Sequence, residues 1–206
     1  WEWGFEDVDL QQRIRLAGLG WSRRPGTFMP MPHAHHGIER DGVDVTDPAT
    51  GRLVADAGRA ALHAFAAGTY RLVDARGRGR VLDVPAPPAP LDCSRDWSVA
   101  FPKEAPQRVA QLASWTESAT DSVRHFSGTA TYTRTVQIES AQLARDTVAE
   151  LDLGDVQVIA ELRVNDRDLG LLWKPPFRRD ITAALRPGAN MLTVRVTNLW
   201  RNRLIG

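Results

Sequence analysis

The sequence predicts a mainly β chain, an antiparallel jelly-roll-like β-sandwich preceded by a helix-and-loop segment. Three observations carry this. From about residue 43 onward, apolar residues recur at every second position in short runs, the period of a half-buried strand. Turn-forming pairs such as Asn165-Asp166 and Pro187-Gly188 separate the runs, as expected of short antiparallel strands in a sandwich. Helical spacing shows clearly only near the start of the chain.

In that first stretch Val8, Leu10, Ile14 and Leu16 alternate with charged and amide residues. The spacing predicts an amphipathic helix over residues 6–17, with Gly18 as its C-terminal stop. Residues 22–42 read as a loop, rich in Pro and Gly, that contains His33, His35 and His36. Strands are expected at 69–73 and 80–84, with a turn at 74–77 between them. The Pro- and Ala-only run at 85–90 reads as a stiff, extended connector. Beyond it, 97–101 places Trp97, Val99 and Phe101 on one face. In 128–138, Ala130, Tyr132, Val136 and Ile138 share a face, and Thr129, Thr131, Thr133 and Thr135 share the other. Ser140 is expected to cap one helical turn. Further strands are expected at 148–153, 158–164, 169–173 and 191–197, with 178–185 leading into the Pro187-Gly188 turn. The expected organisation is a first segment at 1–42, a small β unit and connector at 43–90, and a sandwich at 91–206 that lacks its closing strands. The absence of an initiator Met at Trp1 and the stop at Gly206 read as cuts at both ends.

Charge and composition exclude several function classes. Lys and Arg number 26 against 25 Asp and Glu, a net charge of +1, so a broadly basic nucleic-acid surface is not expected. No apolar run approaches the ~18 residues of a membrane helix, and no membrane partner is expected. The single cysteine, Cys93, excludes an internal disulfide. Lys103 and Lys174 are the only lysines beside abundant arginine, a coding bias and not a functional signal.

Several motifs follow one another in the second part of the chain. They are Trp115-Thr116-Glu117, His125-Phe126-Ser127-Gly128, Leu151-Asp152-Leu153-Gly154, Val164-Asn165-Asp166, Trp173-Lys174-Pro175-Pro176-Phe177, Asp180-Ile181-Thr182, Gly188-Ala189-Asn190 and Asn198-Leu199-Trp200-Arg201-Asn202-Arg203. In this order they resemble the sugar-binding-like jelly-roll domain of family 2 glycoside hydrolases. They are more closely similar to the module near the C-terminus of family 106 α-L-rhamnosidases. The resemblance implies a carbohydrate-binding or accessory module whose partner is a separate catalytic barrel, with a rhamnose- or galactose-containing glycan as ligand and no cofactor. In such enzymes a pair of carboxylates in the barrel performs hydrolysis, and this chain has no room for a barrel. Glu117, Glu150, Glu161 and Asp180 therefore read as surface or turn residues. Trp173 and Trp200 offer flat aromatic faces for sugar rings, with Lys174, Asn202 and Arg203 as hydrogen-bond donors. The competing reading has the same residues pack against the barrel, in a purely structural bracing role.

The first segment carries a second resemblance. Trp1-Glu2-Trp3-Gly4-Phe5-Glu6-Asp7, followed by Pro32-His33-Ala34-His35-His36, is similar to the C-terminal piece of galactosyltransferase-type glycosyltransferases, which use a nucleotide sugar. The resemblance implies that Asp7 is the general base on the acceptor hydroxyl, that Glu6 binds the acceptor sugar and that Trp3 is its platform. It also implies a divalent metal, Mn or Mg, at His36 or, second, His33. Read without it, Glu6, Asp7 and Asp9 complement a helix dipole, and the histidines are solvated loop residues. The compartment follows the function: periplasmic or secreted for a hydrolase, cytoplasmic for a transferase.

Overall fold

The computed structural model describes residues 18–23, 27–28, 37–41, 43–44, 51–56, 59–73, 79–145, 147–156 and 158–199. The strands before the connector are β1 (Gly18–Arg23), β2 (Thr27–Phe28), β3 (Gly37–Arg40), β4 (Val43–Asp44), β5 (Gly51–Asp56), β6 (Arg59–Ala64), β7 (Gly68–Val73) and β8 (Gly79–Val84). After it come β9 (Arg95–Ala100), β10 (Gln107–Gln111), the one-turn helix α1 (Asp121–Arg124), β11 (Thr129–Ile138), β12 (Thr147–Asp152), β13 (Ile159–Val164), β14 (Arg167–Leu172), β15 (Arg178–Asp180) and β16 (Gly188–Thr197).

Among the described residues the strands pair antiparallel in three sheets. One has the order β10-β9-β11-β16-β13-β14. A second runs β15-β12-β1-β6-β2, with β5 also paired to β6. The third is β4-β3-β7-β8. The first two enclose the main core, and the mainly β, sandwich architecture expected from alternation is the one observed. Ala130, Tyr132, Val136 and Ile138 of β11 are buried, as are Leu192, Val194 and Val196 of β16 beside them. They share one apolar cluster with Ala149 and Leu151 of β12 and with Phe177 and Ile181. A smaller cluster of Leu62, Ala64, Tyr70, Leu72 and Val84 lies apart from it.

The structure departs from the sequence expectations at several places. Gly18 is not seen as a helix stop: it opens β1, which pairs along its whole length with β12, Gly18 opposite Asp152 and Arg23 opposite Thr147. The loop expected over 22–42 contains strand segments at Thr27–Phe28 and Gly37–Arg40. The helix expected over 6–17 and the turn at 74–77 lie outside the described residues. The turn at Ser140–Leu143 is present, but its cap is Glu139. Gln142 Oε1 accepts from the Glu139 N–H at 2.8 Å, and the Glu139 carboxylate accepts the Gln142 backbone N–H in return, a reciprocal capping box one residue ahead of the expected cap. The segment after Phe177 is only briefly a strand; Asp180 then accepts from the Thr182 N–H at 2.9 Å, at the start of a single 3-10 turn over Thr182–Ala184.

Two motif asparagines hold the turns at one end of the main sheet. Asn165 sits at φ 52° in the β13–β14 turn. Its Nδ2 donates to Ala184 O at 2.9 Å and to Asn190 Oδ1 at 3.0 Å, and its Oδ1 accepts from Met191 N. Asn190 is fully buried. Its Nδ2 donates to Arg186 O and Gly188 O, and its Oδ1 also accepts from Arg186 N. Gly188, inside that loop, has φ +92° with nothing within 4 Å of the place a Cβ would take. Gly188→Ala therefore meets backbone strain alone, and a loss of about 1–2 kcal/mol is expected, read as a lower urea midpoint. A third motif residue, Asn198, ties the opposite end: its Oδ1 accepts from Gly128 N and its Nδ2 donates to Phe126 O, both at 2.8 Å.

Candidate carbohydrate surface

The main sheet positions the exposed tryptophan. β14 is an edge strand, and its alternation turns Leu172 inward and Leu171 outward. Trp173 follows on the outward side and is 64% exposed. The Lys174 Nζ stands 5.2 Å from its ring centroid, a cation–π contact that holds ammonium donors beside the aromatic face. Arg179 Nη2 donates to Leu171 O at 3.1 Å, occupying a carbonyl of the free edge. Leu171 lies opposite Glu161 of β13, and Glu161 is ion-paired with Arg195 of β16.

Topology also decides what lies next to Trp173. β13 is antiparallel to both β14 and β16 and stands between them. β14 and β16 therefore leave the sheet at the same end, two strand spacings or about 10 Å apart. The chain leaves β16 through Asn198 and the half-exposed Leu199. Trp200, Asn202 and Arg203 lie outside the described residues, as do Trp3, Glu6, Asp7, His33 and His36. Of the expected sugar-contacting set, the structure places Trp173 and Lys174, and it brings these two together. Among the described residues, no group of three or more His, Cys, Asp or Glu side chains is arranged to hold a metal ion.

The carboxylates take separate roles. Glu161 is in the ion pair already given. Asp180 accepts from both the N–H and the Oγ1 of Thr182. Glu150, expected at the surface or in a turn, is instead buried and ion-paired with Arg52. Burial pushes its carboxyl up from the ordinary value, and the attraction of Arg52 offsets this only in part. The reason is positional: β12 has both faces covered, so its alternate residues do not reach water. Arg52 also lies over the Phe65 ring at 4.8 Å, which fixes the guanidinium on the far side of β12 from the main core.

Sequence reasoning missed a second concave feature, formed where β9 and β10 meet the turn at Trp115–Glu117 and helix α1. Its lining comes from separated segments, each read singly as strand or turn, and no motif marks it.

No family model matches the chain. A protein of Formosa agariphila, provisionally named a beta-glucuronidase, is 40% identical over 143 residues, covering 68% of this chain and 12% of that protein. A solved rhamnosidase from Novosphingobium sp. PP1Y matches 91% of this chain with a TM-score of 0.56 and 26% identity, and 19% of that chain is covered. The chain thus spans about an eighth and a fifth of these two relatives. Neither of these relatives is named a glycosyltransferase, so they lend no support to the transferase resemblance of residues 1–42. What the chain presents is a β domain similar to a small part of these named glycoside hydrolases.

Proposed function

We propose that the chain is the accessory β-sandwich of a glycoside hydrolase, non-catalytic by itself, which holds a glycan at the outward edge formed by β14. The observation that carries this reading is the exposed Trp173 ring with Lys174 over it. A flat, rigid aromatic ring offers a large apolar face to the C–H side of a pyranose, and the ammonium beside it offers donors to the hydroxyls. The similarity to a rhamnosidase and to a named beta-glucuronidase supports a saccharide as the ligand class, with rhamnose- or galactose-containing glycans as the first candidates. Glu150 and Glu161 are held in ion pairs and Asp180 by Thr182, which supports placing the acid–base pair on a separate catalytic domain. The transferase chemistry expected of Glu6, Asp7, His33 and His36 has no part in this reading.

Trp173→Ala tests it. Retention of the full chain in polyacrylamide gels containing rhamnogalacturonan should fall by about tenfold in affinity, the order of a lost aromatic contact, with an unchanged melting curve. Equal retention by the two proteins would overturn the reading. Leu171 and Leu199, exposed near the same end of the sheet, favour a second reading in which this edge braces a catalytic barrel. In that case Trp173→Ala weakens association with the separately produced barrel and leaves glycan retention untouched.

A further inference from the structure

The main sheet has two free margins, and they differ. At β14 the margin is closed. The Gly170 N–H donates to Asp168 Oδ1 at 2.8 Å, and Leu171 O accepts from Arg179. Gly170 sits at φ +81°, and the register against β13 shifts between Glu161 and Arg163. The strand thus departs from the regular extended form that a further strand needs. β10 has none of these features. Its register against β9 runs unshifted from Gln107 opposite Val99 to Gln111 opposite Arg95. Gln107, Arg108, Ala110 and Gln111 are exposed, and among the described residues no side chain bonds to the β10 backbone. One row of its backbone donors and acceptors therefore faces outward, open to pairing with another strand.

Charge marks the same margin. Asp96 and Arg108 are both exposed and lie on the outer face of the sheet, where they line one groove with Ser98 and Thr133. Neither side chain makes an ion pair among the described residues. Ala110 stands beside Asp96 in the next strand, between the matched pairs Val109–Trp97 and Gln111–Arg95. It is too small to screen the carboxylate from the side of the margin. Gln107, Val109 and Gln111 alternate with these residues and face the core side.

We propose that β10 pairs antiparallel with β10 of a second copy of this chain, about a two-fold axis at Val109, which joins the two six-stranded main sheets into one. In this register Gln107 stands opposite the second copy's Gln111, Arg108 opposite its Ala110 and Val109 opposite its Val109. The segment is close to its own complement: amides meet amides at both ends, and each arginine meets an alanine. Beyond that alanine lies the second copy's Asp96, two strand spacings or about 10 Å from Arg108 along the row. An extended arginine and a carboxylate together close that distance over alanine, and the two-fold axis makes the contact twice. The two faces of the sheet select this register. A slip of one residue sets core-side residues opposite solvent-side ones. A slip of two shortens the ladder, and in one direction it sets the two Arg108 side chains opposite each other. A strand pair of this length buries less than the ~1,200 Å² at which standard interfaces begin, so the dimer is reversible and concentration-dependent. The proposal is independent of the carbohydrate reading above.

Sedimentation velocity of the full chain, from dilute to concentrated, should show a reversible monomer–dimer equilibrium. Two double variants at exposed positions test the register. Gln107→Lys with Gln111→Glu sets opposite charges face to face at both ends and should tighten the dimer about fivefold. Gln107→Lys with Gln111→Lys sets like charges there and should weaken it about fivefold. Asp96→Asn keeps a residue that accepts the φ of 58° at this position. It removes both ion pairs and should weaken the dimer about fivefold. A chain that stays monomeric at every concentration would overturn the proposal, and so would equal association of the two double variants. Hydrogen-exchange protection of the β10 amides that appears only on mixing with the separately produced barrel would also overturn it, and would give this margin to that domain. Glycan retention should be the same in all three variants, so the outcome here and the outcome for Trp173 are read separately.

Discussion

Replacing Asn190 by alanine should lower the stability of the fold by about 3–4 kcal/mol, since a typical buried hydrogen bond contributes about 1 kcal/mol and stranded partners cost more. Asn190 makes four hydrogen bonds through one amide: two donated to Arg186 O and Gly188 O, and two accepted from Arg186 N and Asn165 Nδ2. Alanine removes all four, including the bond that ties Asn165 to the turn at 186–188, at a position that is itself fully buried. For a domain of this size the loss corresponds to a melting temperature lower by about 10 °C. Asp at the same position keeps the accepting oxygens but loses both donations and buries a charge, so it should be no better than alanine. A melting curve shifted by less than a few degrees for Asn190→Ala would show that the turn is held by other contacts.

The second large effect is expected at Arg52. Removing one partner of a fully buried ion pair costs about 3–5 kcal/mol; Arg52 keeps 23% of its side chain exposed, so about 2–3 kcal/mol is expected for Arg52→Ala at neutral pH. The sign of the pH dependence follows from Glu150. Its carboxyl is raised in the fold, chiefly by burial, above the 4.5 of the free group. The folded chain therefore holds the proton more tightly than the unfolded one. The stability this group gives is fully present below about 4.5 and is lost as pH rises through the folded value. Without Arg52 that value rises further, so the urea midpoint of Arg52→Ala should fall more steeply toward neutrality than that of the parent. Glu150→Gln in the same background should flatten the profile, and parallel profiles for parent and Arg52→Ala would refute the assignment.

What the sequence discloses depends on how local the cause is. β11 is legible because each of Ala130, Tyr132, Val136 and Ile138 lies two positions, or a multiple of two, from the next, and burial on one face needs nothing else. The Asn165-Asp166 turn is legible because asparagine accepts positive φ. β1 is not legible: Gly18 and Gly20 look like a helix terminus and its loop, and the partner that makes the segment a strand is β12, far along the chain. Glu150 reads as a surface residue because nothing nearby announces Arg52, 98 positions away. For the candidate surface, the sequence is enough to single out Trp173 and Lys174, since an aromatic next to a lysine and two prolines is a local feature. The concave feature beside β10 and the asparagine network depend on residues that meet only after folding.

The pairing of β1 with β12 has a consequence for how the chain is made. β1 lies between β12 and β6 in its sheet, and its first residue is matched to Asp152. On a ribosome adding about 5–20 residues per second, β1 emerges roughly 6–25 seconds before β12 exists. During that interval one side of it presents unpaired backbone donors and acceptors to whatever strand is nearby. Newly made copies on one messenger, each with β1 waiting, are then prone to pair with one another before they can close on themselves. Slowing translation between the connector and β12 should worsen that competition, and holding β1 on a chaperone until β12 is released should relieve it.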